Sequence, residues 1–125
     1  LVPIRYVDQG HSAAELFGVY NACKIGLVTP LRDGMNLVAK EYVAAQDQDD
    51  PGVLILSRFA GAAQQLTGAL LVNPHSPDDL ASAIRDALDM PLDERKARWE
   101  PMLASVRDEN VQRWTQSFVQ DLEAT

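Results

Sequence analysis

The sequence has a single cysteine, Cys23. No intrachain disulfide can form, a metal site built on cysteine spacing is excluded, and a reducing compartment fits. Positive charge is also scarce. With 11 Lys and Arg against 18 Asp and Glu, the net charge of −7 argues against a surface that holds nucleic acid or anionic lipid through phosphate contacts. No stretch approaches the roughly 20 apolar residues that a spanning helix needs, and no charged segment followed by an apolar run opens the chain. A soluble, cytoplasmic protein is expected, with no nucleic-acid or membrane partner. Low-complexity segments and dividing linkers are missing as well, so one domain is the natural reading of residues 1–125. The first residue is Leu rather than Met, and Leu1-Val2-Pro3-Ile4 reads like the interior of a domain. The expectation is a piece of a longer protein.

What the chain does have is apolar material: 46% hydrophobic residues, enough for a compact core and unlike a disordered composition. β-Branched and aromatic residues from Val2 to Val7 predict a short strand. Ser12-Ala13-Ala14-Glu15 has capping-box spacing and predicts a helix running to about Cys23. Ile25–Val28, Val53–Leu56 and Ala69–Val72 are continuous apolar runs, the pattern of parallel strands buried on both faces. Between the first two, Met35 to Gln46 recurs with helical period. Ser76-Pro77-Asp78-Asp79 offers an N-cap, a proline at the first helical position and acids in the first turn, followed by Leu80, Ile84 and Leu88. Two further helices are expected over about 90–125, one with Trp99, Met102 and Val106, the other with Val111, Trp114, Phe118 and Leu122. Helical spacing favours core or interface packing for the tryptophans over a sugar platform. Strands alternating with helices predict an α/β fold, a parallel sheet covered on both faces, with ligands outside the carboxyl ends of the strands.

That rule points to the segment after Val28. A buried strand feeding a turn at Gly34 and then a helix presents free amides and a helix dipole to an anion, and Gly34 lets backbone approach a ligand without a Cβ in the way. A pyrophosphate suits such a site, although strand–glycine–helix junctions occur in many α/β proteins. Two carboxylates border the turn: Asp33 before it, and Glu41 eight positions later near the helix face that carries Leu37. A carboxylate accepts hydrogen bonds from neighbouring hydroxyls, so Glu41 suits a ribose diol and Asp33 a sugar hydroxyl. The bland alternative makes Glu41 a solvated helix residue paired with a neighbour.

The block Thr29-Pro-Leu-Arg-Asp-Gly-Met-Asn-Leu-Val-Ala-Lys-Glu-Tyr42 with Val43-Ala44-Ala45-Gln46, eighteen residues in all, is followed by Gly52-Val-Leu-Ile-Leu-Ser57, Phe59-Ala-Gly-Ala-Ala63 and Leu71-Val72-Asn73-Pro74. These segments closely resemble the trehalose-6-phosphate synthases, and the likeness extends along essentially the whole chain. The resemblance implies a retaining glycosyltransferase of the GT-B type, of which this chain is part of the Rossmann-like C-terminal domain that binds UDP-glucose, ending in amphipathic helices. The absent N-terminal domain would bind glucose 6-phosphate. Transfer of glucose between them would yield trehalose 6-phosphate and UDP, with no metal or other cofactor. By position, Asp33 and the amides of Gly34, Met35 and Asn36 would face the donor glucose. The Leu37 and Val38 amides would face the diphosphate, and Glu41 would hold the ribose. Asp33 would position the sugar rather than act as nucleophile. His11 and His75 are isolated and read as surface residues rather than metal ligands. Arg32 reads as solvated rather than as a phosphate ligand, and Arg58 departs from the acidic or amide residue of many members. The basic diphosphate clamp would lie before Leu1. A noncatalytic module that binds a nucleotide sugar or a protein is the rival reading, and a homo-oligomer is compatible with either.

Overall fold

The computed structural model describes residues 3–108 and 111–124. Along the chain come α1 (Ala13–Ala22), β1 (Ile25–Val28), α2 (Leu37–Ala44), β2 (Val53–Ser57), a short 3-10 turn (Gly61–Gln64), β3 (Leu70–Val72), α3 (Pro77–Asp89), α4 (Leu92–Asp108) and α5 (Val111–Ala124).

The three strands form one parallel sheet in the order β1-β2-β3. Ile25 lies opposite Val53 and Val28 opposite Leu56; Ile55 lies opposite Leu70 and Ser57 opposite Val72. The central strand β2 is buried at every position. Successive side chains of a strand point to opposite faces, so β2 divides the core. Leu54 and Leu56 join Tyr42 and Val43 of α2 and Trp99 and Met102 of α4 on one face. Val53 and Ile55 join Ala83 and Ala87 of α3, Met90 and Val72 on the other.

Several expectations change. Residues 3–7 form no strand, and Val2 lies outside the described residues; β-branched composition does not make a strand without a neighbouring edge to pair with. β1 is an edge strand rather than one buried on both faces, with Leu27 49% exposed. On α3 the small residues Ala83 and Ala87 are buried while Leu88 is 70% exposed, so the inward stripe is set by close helix–sheet approach. In α1, Ser12 Oγ accepts from the Glu15 amide at 3.2 Å, but the Glu15 carboxylate turns to His11 Nδ1 at 3.0 Å instead of closing the box. Trp99 packs in the core as expected. The Trp114 side chain lies outside the described residues, while Phe118 and Leu122 of α5 are exposed.

Helix α2 is fastened from behind. Its carbonyls near the C-terminus accept from side chains of other elements: Val43 O from Trp99 Nε1 at 2.9 Å and Ala45 O from Asn21 Nδ2 at 2.9 Å. Gln46 Nε2 bridges Tyr42 O and Tyr20 O, and its Oε1 accepts from the Gly52 amide at 2.9 Å. Such bonds satisfy carbonyls that a helix end otherwise leaves orphaned. Tyr42 lies against the sheet where Gly26 has no side chain; a Cβ there would sit 2.9 Å from three ring carbons. Its hydroxyl donates to Cys23 O at 2.8 Å. Burial, with the Cys23 thiol adding to it, pushes the phenol well above its usual range. It stays a neutral donor.

Candidate functional site

In a parallel sheet all carboxyl ends face one way, so the segments after Val28, Ser57 and Val72 converge at one rim. They touch there. Asp33 and Ala60 form a parallel bridge, Arg58 N donates to Val72 O at 3.0 Å, and the rings of Phe59 and His75 lie 6.1 Å apart.

The turn into α2 bends at Gly34 and is closed by Asn36. Gly34 has no positive φ; the left-handed residue is Asn36, at φ 76°, the one non-glycine of this kind among the described residues. Asparagine tolerates that region because its short side chain bonds locally. Here Asn36 is the N-cap of α2, its Oδ1 accepting from the Ala39 amide at 3.0 Å. The helix therefore starts at Leu37, two residues later than expected.

Asp33 is committed to the same turn. Its Oδ1 accepts from the Met35 amide and its Oδ2 from Asn36 Nδ2, both at 3.1 Å. The expectation that Met35 presents a free amide is corrected accordingly: that amide bonds to Asp33. Each carboxylate oxygen keeps capacity for a further donor, since an ionised carboxylate has about four acceptor directions. The carboxylate is thus held in place while remaining able to accept from a hydroxyl.

No hydrogen bond among the described residues engages the amides of Leu37 and Val38. Both residues are exposed at the rim, and α2 carries no acid in its first turn, unlike α1, α3 and α4. The positive end of the α2 dipole is left open to an anion. Glu41 follows Leu37 by one turn on the same face, about 6 Å along the axis at 1.5 Å per residue. It is half-buried, and it makes no side-chain hydrogen bond or ion pair among the described residues. Glu41 is therefore not paired with a neighbour among the described residues. A Cβ built on Gly34 meets nothing within 4 Å, so its outer face is open.

Other candidates fall elsewhere. His11 sits at the start of α1 beside Glu15. Arg58 reaches Asp79 Oδ2 at 3.6 Å, the same oxygen that accepts from the Asn73 amide at 2.6 Å. Arg32 is exposed on the loop and forms no ion pair among the described residues. A cleft of about 140 Å³ lies at the amino ends of the strands, lined by Lys24, Ile25, Asp50, Leu88, Met90 and Arg95. There Arg95 is already used by Asp50, Pro51 O and Met90 O.

Sequence reasoning gave Ala60, Gly61 and Ala62 no role beyond their place in the family likeness. The Gly61 amide donates to Asp33 O at 2.9 Å and the Ala62 amide to Met35 O at 2.8 Å. Their signal was a Gly-Ala stretch three residues beyond a fully buried strand, which does not say what it touches.

The family model for glycosyltransferase family 20 matches residues 1–124. A trehalose-6-phosphate synthase of Sodalis glossinidius is 57% identical over 120 residues, which is 96% of this chain and 26% of that protein. Among solved structures, an alpha,alpha-trehalose-phosphate synthase (UDP-forming) from Burkholderia xenovorans, in complex with glucose-6-phosphate, superposes with a TM-score of 0.90 at 54% identity, covering 97% of this chain and 27% of that one. A structure from E. coli bound with UDP-2-fluoro glucose has a TM-score of 0.90 at 49% identity, covering 98% and 27%. The chain spans about a quarter of the length of these relatives.

Proposed function

Because the chain belongs to glycosyltransferase family 20, we propose that it is the donor-side part of an enzyme that moves glucose from UDP-glucose to glucose 6-phosphate. The products are trehalose 6-phosphate and UDP, and the anomeric configuration is retained. The relatives named as UDP-forming synthases, and those bound to glucose-6-phosphate and to UDP-2-fluoro glucose, support both substrates. The observation that carries the reading is the pairing, on one short helix, of two N-terminal amides with a half-buried carboxylate one turn on, none of them with a partner among the described residues. Diphosphate and ribose are linked in a nucleotide sugar as those groups are spaced on α2.

In this reading the Leu37 and Val38 amides hold the diphosphate and Glu41 accepts from the ribose hydroxyls. Asp33, with the backbone of Gly34, Met35 and Asn36, faces the glucose. The Met35 amide serves by fixing Asp33. Asp33 does not attack the sugar. Glucose leaves UDP and joins the acceptor hydroxyl on the same face, with the departing diphosphate taking the acceptor's proton. The protein's share is positioning and stabilisation of the negative charge that grows on the diphosphate. No metal or other cofactor is invoked, a cytoplasmic setting is consistent with the lone Cys23, and acceptor and clamp residues belong to sequence outside this chain.

The test is UDP release by the full-length protein, with and without glucose 6-phosphate. Glu41→Ala removes charge-assisted bonds to two hydroxyls, about 1.5–3 kcal/mol, so the KM for UDP-glucose should rise by about 10- to 100-fold. Asp33→Ala should lower kcat more than it raises KM. Release that ignores glucose 6-phosphate would exclude this acceptor. Binding of UDP-glucose without any turnover would select the noncatalytic module.

A further inference from the structure

We infer that the turn after β2, centred on Gly61, is a positioning clip that holds the donor loop in shape from behind. The inference rests on the reading of residues 33–41 as the donor site.

Residues 33–35 are gripped along their backbone. Asp33 N donates to Phe59 O at 3.4 Å, Gly61 N to Asp33 O at 2.9 Å, and Ala62 N to Met35 O at 2.8 Å. The two segments thereby run as a miniature parallel pair at the rim of the sheet. The clip is itself anchored: Ser57, fully buried at the end of β2, accepts through its Oγ from the Phe59 amide at 3.1 Å and through its carbonyl from the Ala60 amide at 3.1 Å. Ala60 and Ala62 are buried in the core on either side.

The fit at Gly61 is backbone against backbone. A Cβ there would fall inside the contact shell of the Gly34 carbonyl oxygen, 2.7 Å from its carbon and 3.3 Å from the Met35 nitrogen. The obstruction cannot swing aside as a side chain could. Any residue larger than glycine at 61 must push the loop outward, and the loop carries Asp33 and leads into the Asn36 cap. The open face of Gly34 and the fixed Asp33 carboxylate are therefore set by a residue that touches no substrate. Small displacements of such supports cost large factors in rate.

Gly68 supplies a matched control. A Cβ there would collide in the same manner with the Arg98 carbonyl oxygen and lie 2.9 Å from its carbon, far along the chain from the donor loop. In the full-length protein, Gly61→Ala should raise the KM for UDP-glucose about tenfold or more while leaving the KM for glucose 6-phosphate within about twofold. Gly68→Ala should lower Tm and leave both KM values alone. Ser57→Ala, a milder change that releases only the Phe59 amide, should raise the donor KM in the same direction by a smaller factor. Amide hydrogen exchange reads the clip without substrate: Gly61→Ala should speed exchange at Met35 and Ala62, and Gly68→Ala should not. Faster exchange there in a protein that binds no UDP-glucose would uphold the clip and sink the donor reading. Unchanged exchange, or a donor KM moved equally by Gly61→Ala and Gly68→Ala, would overturn the clip.

Discussion

Asn36 concentrates two demands in one side chain. It must sit at φ 76° and its Oδ1 must accept from the Ala39 amide. Alanine fails both, losing about 1 kcal/mol for the cap and a further 1–2 kcal/mol for the left-handed backbone. Glycine meets the backbone demand and fails only the cap, by a few tenths of a kcal/mol. Denaturant unfolding should therefore place Asn36→Ala about 2–3 kcal/mol below wild type and Asn36→Gly close to it; equal losses would show that backbone strain at this position is negligible. A second residue-scale effect concerns acid. The hydrogen bond from Arg95, and then its charge, hold the Asp50 carboxyl below its ordinary value of 3.8. A group with a depressed folded pKa contributes stability that is fully present above the unfolded value and is lost as pH falls through the folded one. Asp50→Asn should lower stability near neutrality, by a difference that closes as pH falls below about 4. Because Asp50 is exposed, added salt should shrink the difference.

At the scale of elements, α2 is set by what lies behind it. Trp99→Phe keeps most of the buried ring but removes the donor to Val43 O and leaves a small void. A loss of about 2 kcal/mol in thermal or chemical unfolding is expected, without the selective change in donor KM that Gly61→Ala produces. Elements were legible where local signals agreed. Ser76, Pro77 and the acids after them start α3 where expected, and the continuous run Val53–Leu56 is the buried central strand. Local signals misled where neighbours decide. Leu27 is apolar yet exposed because β1 lies at an edge, and Leu88 yields its inward place to alanines that allow α3 close to the sheet. The sequence places a turn at Gly34 and the helix start at Met35, whereas the pattern Asp33, Asn36, Ala39 contains the cap. Asp33, Gly34, Leu37, Val38 and Glu41, the residues of the proposed donor site, are named by sequence through the family resemblance. The role of Gly61 is not, since its partner lies 27 positions away and only the fold joins them.

At the scale of the whole molecule, large apolar side chains lie exposed on several elements among the described residues. Phe17 and Val19 on α1, Leu27 on the open edge of the sheet, and Val119 on α5 are all exposed. Apolar area of this kind is normally covered, and an open sheet edge offers unpaired backbone to other chains. Prepared as the 125-residue chain alone, the protein should associate with rising concentration in sedimentation velocity. Leu27→Lys should weaken that association with little loss of stability, since the side chain already faces solvent. A monomer at every concentration would mean that these faces are tolerated singly.

The seat of Tyr42 against Gly26 restricts the order in which the sequence can change. With a Cβ at position 26 only 2.9 Å from the ring, a side chain there is admitted only after the tyrosine has become something smaller, and that step first opens a hole in the core. The direct mutational route between the two well-packed combinations thus passes through a crowded or a hollow intermediate. Neither position can drift independently, although they lie sixteen residues apart and on different elements.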